Sequence, residues 1–301
     1  MVMMRKPIKI SSVLFGGPVR NVATVIEAEI DNLYHALSGF SAIFCHIVES
    51  DSQDDTLIVL QRLAQKYPNL SYESKGNLVE SGLIRTERIA YCRNALLTHL
   101  TKSSYAKQID YVIMADLDGM NHLVTKHKIV QCWDVAEDWD VLTANQEGPY
   151  YDTWTIRHPD WCPTDCWQQK ARLEKLFNSD AAMNLAVNAR QAVLRSNIGL
   201  LEVDSAFGGL AIYKKHVFLD GQYAGVGEDG LEICDHVPFH ATLRKKGYRI
   251  FINSALTNCY THPGELNPHN KLSWHFRLMR SVLLAVLGEK RLKKYLERLQ
   301  P

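Results

Sequence analysis

Two carboxylates one residue apart, Asp116 and Asp118, end the apolar run Tyr111-Val112-Ile113-Met114-Ala115 and stand just ahead of Gly119. The run is partly β-branched and reads as a buried strand. On a chain leaving a strand, positions i and i+2 can face one side, so two hard oxygen ligands can be offered to one divalent cation. Gly119 lets the backbone turn directly afterwards. The ordinary alternative is an acidic strand-to-loop boundary, because Asp favours turns. Placement supports the ligand reading: open α/β sheets hold their ligands at the carboxyl ends of strands, and this one lies mid-chain.

Other charged groups fall where a nucleotide would need them. Glu49 and Asp51 close a second apolar run, and Arg85, Arg88, Arg93 and Asn94 lie on a helical pattern leading to the Asp116 strand. Base and ribose call for a polar clasp, and a pyrophosphate calls for positive charge or a cation. The arginine spacing spreads over more than one helix face, so all three do not serve one ligand. Arg93 and Asn94 are the pair assigned to it, against the alternative of a solvated helix face.

The elements that must position these groups alternate along the chain. Strand patterns cover 8–15, 41–48, 70–73 and 110–116, and helical patterns cover 22–37, 56–66 and 84–100. Gly16-Gly17-Pro18 closes the first strand, Gly39 ends the first helix, and Asp54 and Asp55 can cap the second. This alternation predicts a parallel, doubly wound sheet over the first 120 residues or so. The second half is less regular, with strands expected over 139–144, 205–213, 249–252 and 256–260. Helices are expected over 168–178 and 181–195, and a loop enters a further helix over 225–240.

Composition bounds the class. The 301 residues, 46% hydrophobic and 22% charged, suit a folded α/β domain. A formal net charge of +1 gives no nucleic-acid signature. Seven scattered cysteines, several in apolar contexts, suit a reducing, cytoplasmic setting. The basic N-terminus runs into a strand pattern with no signal-peptide core, and no window is apolar for the length of a bilayer.

The ordered parts resemble the GT-A glycosyltransferases, which use nucleotide-diphosphate sugars. The matching pieces are the first strand with its Gly-Gly, Glu49-Ser50-Asp51, Arg93-Asn94-Ala95, Asp116-Leu117-Asp118, the Gly-Gly segment 206–213 and Leu243-Arg244-Lys245-Lys246-Gly247-Tyr248-Arg249-Ile250. Together they cover about residues 8–262. The Arg-Asn helix and the Asp-x-Asp strand are also similar to the capsule-associated mannosyltransferases of fungi.

The resemblance implies a Rossmann-type, mostly parallel sheet flanked by helices, with irregular insertions on the acceptor side. One catalytic domain would span 1–265, its nucleotide-binding half about 8–120 and its acceptor half about 121–265. It also implies that Asp116 and Asp118 hold Mn²⁺ or Mg²⁺ against the pyrophosphate of the donor, with His262 completing the metal shell. Such a cation neutralises charge developing on a nucleoside diphosphate leaving group. For His262 a plain loop histidine beside Pro263 is the alternative.

The general base would come from the loop before the helix ending near Lys246, which holds Glu228, Asp229, Glu232 and Asp235. The family's acidic Glu-Asp pair lands on Asp235-His236 and is not reproduced. Asp235 is assigned as the base, with Glu232 beside it on one helical side. Helix capping is the competing role for Asp235.

Tyr150, Tyr151, Trp154, Trp161 and Trp167 suit stacking on sugar rings of a glycan or lipid-linked acceptor, or else a satellite core. His158, Cys162 and Cys166 lack a clear fourth ligand for zinc. Residues 266–301 read as a basic amphipathic tail that can lie on the anionic inner face of a membrane, or dock on the domain.

Two rival functions remain. Met114 to Met120 also resembles motif one of the haloacid-dehalogenase-like phosphatases, with Asp116 as nucleophile and Asp118 as acid/base. The motif's Thr is Met120 here, and a long α/β stretch precedes it. The second rival is a non-catalytic, sugar-binding relative.

Overall fold

The computed structural model describes residues 5–262. Eight strands form one sheet in the order β3-β2-β1-β4-β7-β5-β8-β6. They are β1 (Ser12–Val19), β2 (Ala42–Glu49), β3 (Leu70–Ser74), β4 (Tyr111–Ala115), β5 (Val141–Glu147), β6 (Leu200–Val203), β7 (Leu210–Lys214) and β8 (Ile250–Tyr260). Pairing is parallel from β3 through β4 and between β5 and β8, while β6 and β7 run antiparallel to their neighbours. The result is a mixed, Rossmann-type sheet flanked by helices, in keeping with the mostly parallel architecture expected: four of its seven strand pairings are parallel.

Strand periodicity decides which face each side chain enters. Val13 and Phe15 of β1, with Ile113 and Ala115 of β4, join one core; Leu14, Val112 and Met114 join the other. The first core is covered by α1 (Ile26–Ala36), α2 (Thr56–Lys66) and α4 (Lys126–Asp134). The second is covered by α3 (Arg85–Lys102), α7 (Lys215–Leu219) and α8 (His236–Lys245). Between β5 and β6, α5 (Cys166–Leu173) and α6 (Ser179–Ala186) enclose a small third cluster.

Several expectations change. Gly16-Gly17-Pro18 does not close the first strand but lies inside β1. A Cβ on Gly17 would sit 2.0 Å from the Ala115 carbonyl oxygen, and one on Gly16 would sit 1.8 Å from that of His46. The glycines are therefore required by neighbouring backbones on both sides of β1. The two late strands are one, β8, whose pairing with β5 shifts register beyond Thr143. Its polar Asn253-Ser254 interrupts the apolar pattern because Asn253 turns back to accept the Ala255 N–H. The helix expected over 181–195 stops at Ala186, and α4, α7 and β6 are additional short elements. The tail 266–301 lies outside the described residues.

Candidate active site

A cleft of about 560 Å³ opens at the carboxyl ends of β1 and β4, between α3 and the segment following β5. Arg93, projecting from α3, organises its floor. Its Nη1 donates to both carboxylate oxygens of Asp235 at 2.6 and 2.7 Å, and its Nη2 donates to Asp116 Oδ1 at 3.0 Å. The guanidinium also lies 5.0 Å from the ring centre of Phe207 and 5.8 Å from that of Tyr223. Burial works against the Arg93 charge, and Asp235 and then Asp116 more than offset it, so its pKa is raised. A planar fork suits this double recognition; a lysine would not reproduce it.

Asp116 leaves β4 with its backbone N–H on the Gly209 carbonyl at 2.9 Å. Its side chain keeps 31% exposure toward the cleft. Burial pushes its pKa up to about 7; Arg93 opposes this, while Asp118, Asp152 and Asp235 add to it. The loop that follows is pinned from below. Asn121 donates to the Asp116 carbonyl at 2.7 Å and to Glu29 Oε1 at 2.6 Å, and Asn258 donates to Asn121 Oδ1 at 3.3 Å. Glu29, buried under this loop, is itself pushed up to about 7 by its burial.

Asp116 and Asp118 offer hard oxygen donors that suit a divalent cation, in a cleft also lined by Asp51, Asp152 and Asp235 and by Arg20, Arg85, Arg88 and Arg93. Yet no group of three or more His, Cys, Asp or Glu side chains among the described residues forms a metal cage. Asp116 and Asp118 would supply two ligands, with the rest coming from diphosphate and water. His262, expected to complete the shell, is exposed two residues beyond β8 and is not among the cleft-lining residues.

The remaining expected residues divide. Asp51, at φ +60°, lines the cleft, accepts the Val79 N–H at 2.8 Å and faces Arg88 Nε at 3.7 Å. Glu49 is buried beside it, takes the Ser52 N–H at 2.9 Å, and lines an adjoining pocket of about 460 Å³ that shares Arg20 and Asp51 with the cleft. Asn94, expected to bind the nucleotide, instead clasps the backbone of Tyr223 by two hydrogen bonds, at 2.9 and 3.0 Å, and does not line the cleft. Its partner in the motif, Arg93, points inward.

Asp235 stands at the start of α8 without capping it, since its side chain makes no cap hydrogen bond. Glu232 is exposed and accepts from Thr86 Oγ1 at 3.1 Å, outside the cleft lining.

Of the aromatic group, Tyr151, Trp154 and Trp167 line the cleft. Tyr150 is fully buried, and Trp161 packs edge-on against it. Trp154 and Trp167 also pack on the cluster under α5 and α6, as a satellite core would have them. Phosphatase motif one needs a hydroxyl at position 120, where a buried Met120 stands.

Asp152 was not anticipated. It lines the cleft and accepts the Gly208 N–H at 3.0 Å, and its carboxyl is raised above the usual range by burial. The only sequence signal was its place in the aromatic segment, since nothing local marks an acid that a distant Gly208 will hold.

No protein-family model matches the sequence, and no curated protein matches it. Among solved structures, the mannosyltransferase PcManGT from Pyrobaculum calidifontis, in complex with GDP-Man and Mn²⁺, is 15% identical over 93% of this chain and 66% of that one, with a TM-score of 0.47. TarS of S. aureus is 13% identical over 93% of this chain and 40% of that one, at a TM-score of 0.48. Mannosyl-3-phosphoglycerate synthase from Rubrobacter xylanophilus is 15% identical over 95% of this chain and 75% of that one, at a TM-score of 0.40. The chain spans less than two-thirds of the length of the first two. Likeness at this level transfers no substrate, metal or residue role.

Proposed function

We propose that this chain is a metal-dependent glycosyltransferase that moves a sugar from a nucleotide-diphosphate sugar to a hydroxyl of a glycan or lipid-linked acceptor. The observation that carries the reading is the Asp116–Arg93–Asp235 array on the cleft floor, with Asp118 also lining the cleft. Asp116 and Asp118 would hold Mn²⁺ or Mg²⁺, which when bound neutralises charge on the departing diphosphate. Arg93 holds Asp116 in place through one amino group while its other is committed to Asp235.

The base and ribose fit the neighbouring pocket at the end of β2, where Glu49 and Asp51 stand. Tyr151, Trp154 and Trp167, which also line the cleft, are suited to an acceptor sugar. Peripheral membrane contact through 274–299 belongs to the same reading, but that segment lies outside the described residues.

Thermal-shift titration with GDP, UDP, CDP and dTDP, with and without Mn²⁺, tests the donor reading. A diphosphate at a hundredfold excess over its Kd adds about 2.7 kcal/mol to the native state. One nucleotide is expected to raise the melting temperature only with the metal. If none does so, the proposal fails.

A further inference from the structure

From the cleft geometry we infer that Asp152 accepts the proton of the acceptor hydroxyl during sugar transfer. This rests on the glycosyltransferase reading and assigns the residue that activates its second substrate.

The carboxylates lining the cleft are not equivalent. Asp235 has both oxygens on the Arg93 guanidinium, at 2.6 and 2.7 Å. Asp116 shares the same guanidinium at 3.0 Å, and Asp51 faces Arg88 at 3.7 Å. The oxygens of these three acids are engaged by guanidinium groups. Asp118 stands with Asp116 where a cation would be held. Asp152 differs in its direct partners: its oxygens are held by neutral donors, the Gly208 N–H at 3.0 Å and the Thr155 side chain, and Arg93 acts on it only through space.

That setting is also rigid. Gly208 takes φ +68°, and a Cβ there would lie 2.7 Å from the Ala144 carbonyl oxygen and 2.8 Å from Gln146 Nε2. Its own carbonyl accepts from Gln146 at 2.9 Å and Asn258 at 2.8 Å. Thr155 is almost fully buried. Asp152 is thus held by buried neighbours, Gly208 at the entry of β7 and Thr155 of its own segment, as a proton acceptor needs. It also lies in the segment that carries Tyr151, Trp154 and Trp167, where the acceptor would stack.

The step balances as a single displacement. The acceptor oxygen forms a bond to the anomeric carbon, and the bond from that carbon to the diphosphate oxygen breaks. The electron pair leaves with the nucleoside diphosphate, and the acceptor proton passes to an Asp152 oxygen. The anomeric configuration is inverted.

Asp152→Asn keeps an oxygen for the Gly208 N–H and removes the base. It is expected to lower kcat by about 10²-fold or more, while nucleoside-diphosphate affinity in Mn²⁺ stays within about twofold. Asp152→Ala is expected to regain part of its turnover with added formate, and Asp235→Ala to regain none. Near-normal kcat in Asp152→Asn, absence of formate rescue, or a product of retained configuration overturns the assignment. A wild-type chain that binds no nucleoside diphosphate with Mn²⁺ and transfers no sugar would instead remove the glycosyltransferase reading, and this assignment with it.

Discussion

Arg93→Met tests whether the cleft floor is built around one cation. The substitution keeps much of the apolar stem but leaves Asp235 and Asp116 facing each other with no charge between them. Arg93 and Asp235 are each about 5% exposed at the side chain, so the pair is largely desolvated. Breaking a buried pair by removing one member costs about 3–5 kcal/mol. That is a large part of the roughly 5–15 kcal/mol that holds a domain together. Loss of the contact over Phe207 adds to the same side.

Urea denaturation with linear extrapolation measures the loss, and an unchanged m-value shows that compactness is kept. The decisive arm is the double variant Arg93→Met with Asp235→Asn. Removing the stranded carboxylate is expected to return part of the stability, giving a coupling energy of about 1–3 kcal/mol. A single variant within about 0.5 kcal/mol of wild type, or strictly additive changes, would refute the argument.

Asp116 predicts a pH dependence with a definite sign. Its folded-state pKa is up at about 7 against 3.8 for the free group, so its stabilising increment is complete below pH 3.8 and is lost as pH rises toward 7. Because a bound cation must displace that proton, stabilisation by Mn²⁺ is expected to grow between pH 5.5 and about 7.5. Asp116→Asn should flatten this dependence, which separates it from Glu29; a wild-type Mn²⁺ effect that is flat with pH would contradict it. Gly17→Ala is expected to cost about 3 kcal/mol or more, since its Cβ meets the Ala115 carbonyl oxygen at 2.0 Å. A Gly17→Ala protein that melts with wild type would show that β1 and β4 can move apart freely.

Some of this molecule is legible one segment at a time. The apolar run 111–115 has the length and β-branching of a central strand, and it is one. The spacing of Leu57 to Lys66 marks a helix whose bounds the structure reproduces as Thr56–Lys66. Asp116 and Asp118 were visible as a pair because their relation is local, two residues on a chain leaving a strand.

Other features depend on partners far along the chain. Gly16 and Gly17 look like a turn until β2 and β4 are placed beside them. Arg93 and Asn94 are adjacent in sequence, yet a helix turns neighbouring side chains by about 100°, so one enters the cleft and the other clasps Tyr223. Asp235 was noticed as an acid, but that both its oxygens are committed to a residue 142 positions earlier is a tertiary fact. Asp152 is the extreme case: its role follows from Gly208, which reaches it through the antiparallel entry of β7 beside β4. Local pattern selects elements because backbone periodicity is short-ranged. The charge state and partners of a buried carboxylate are set by whatever the fold packs against it.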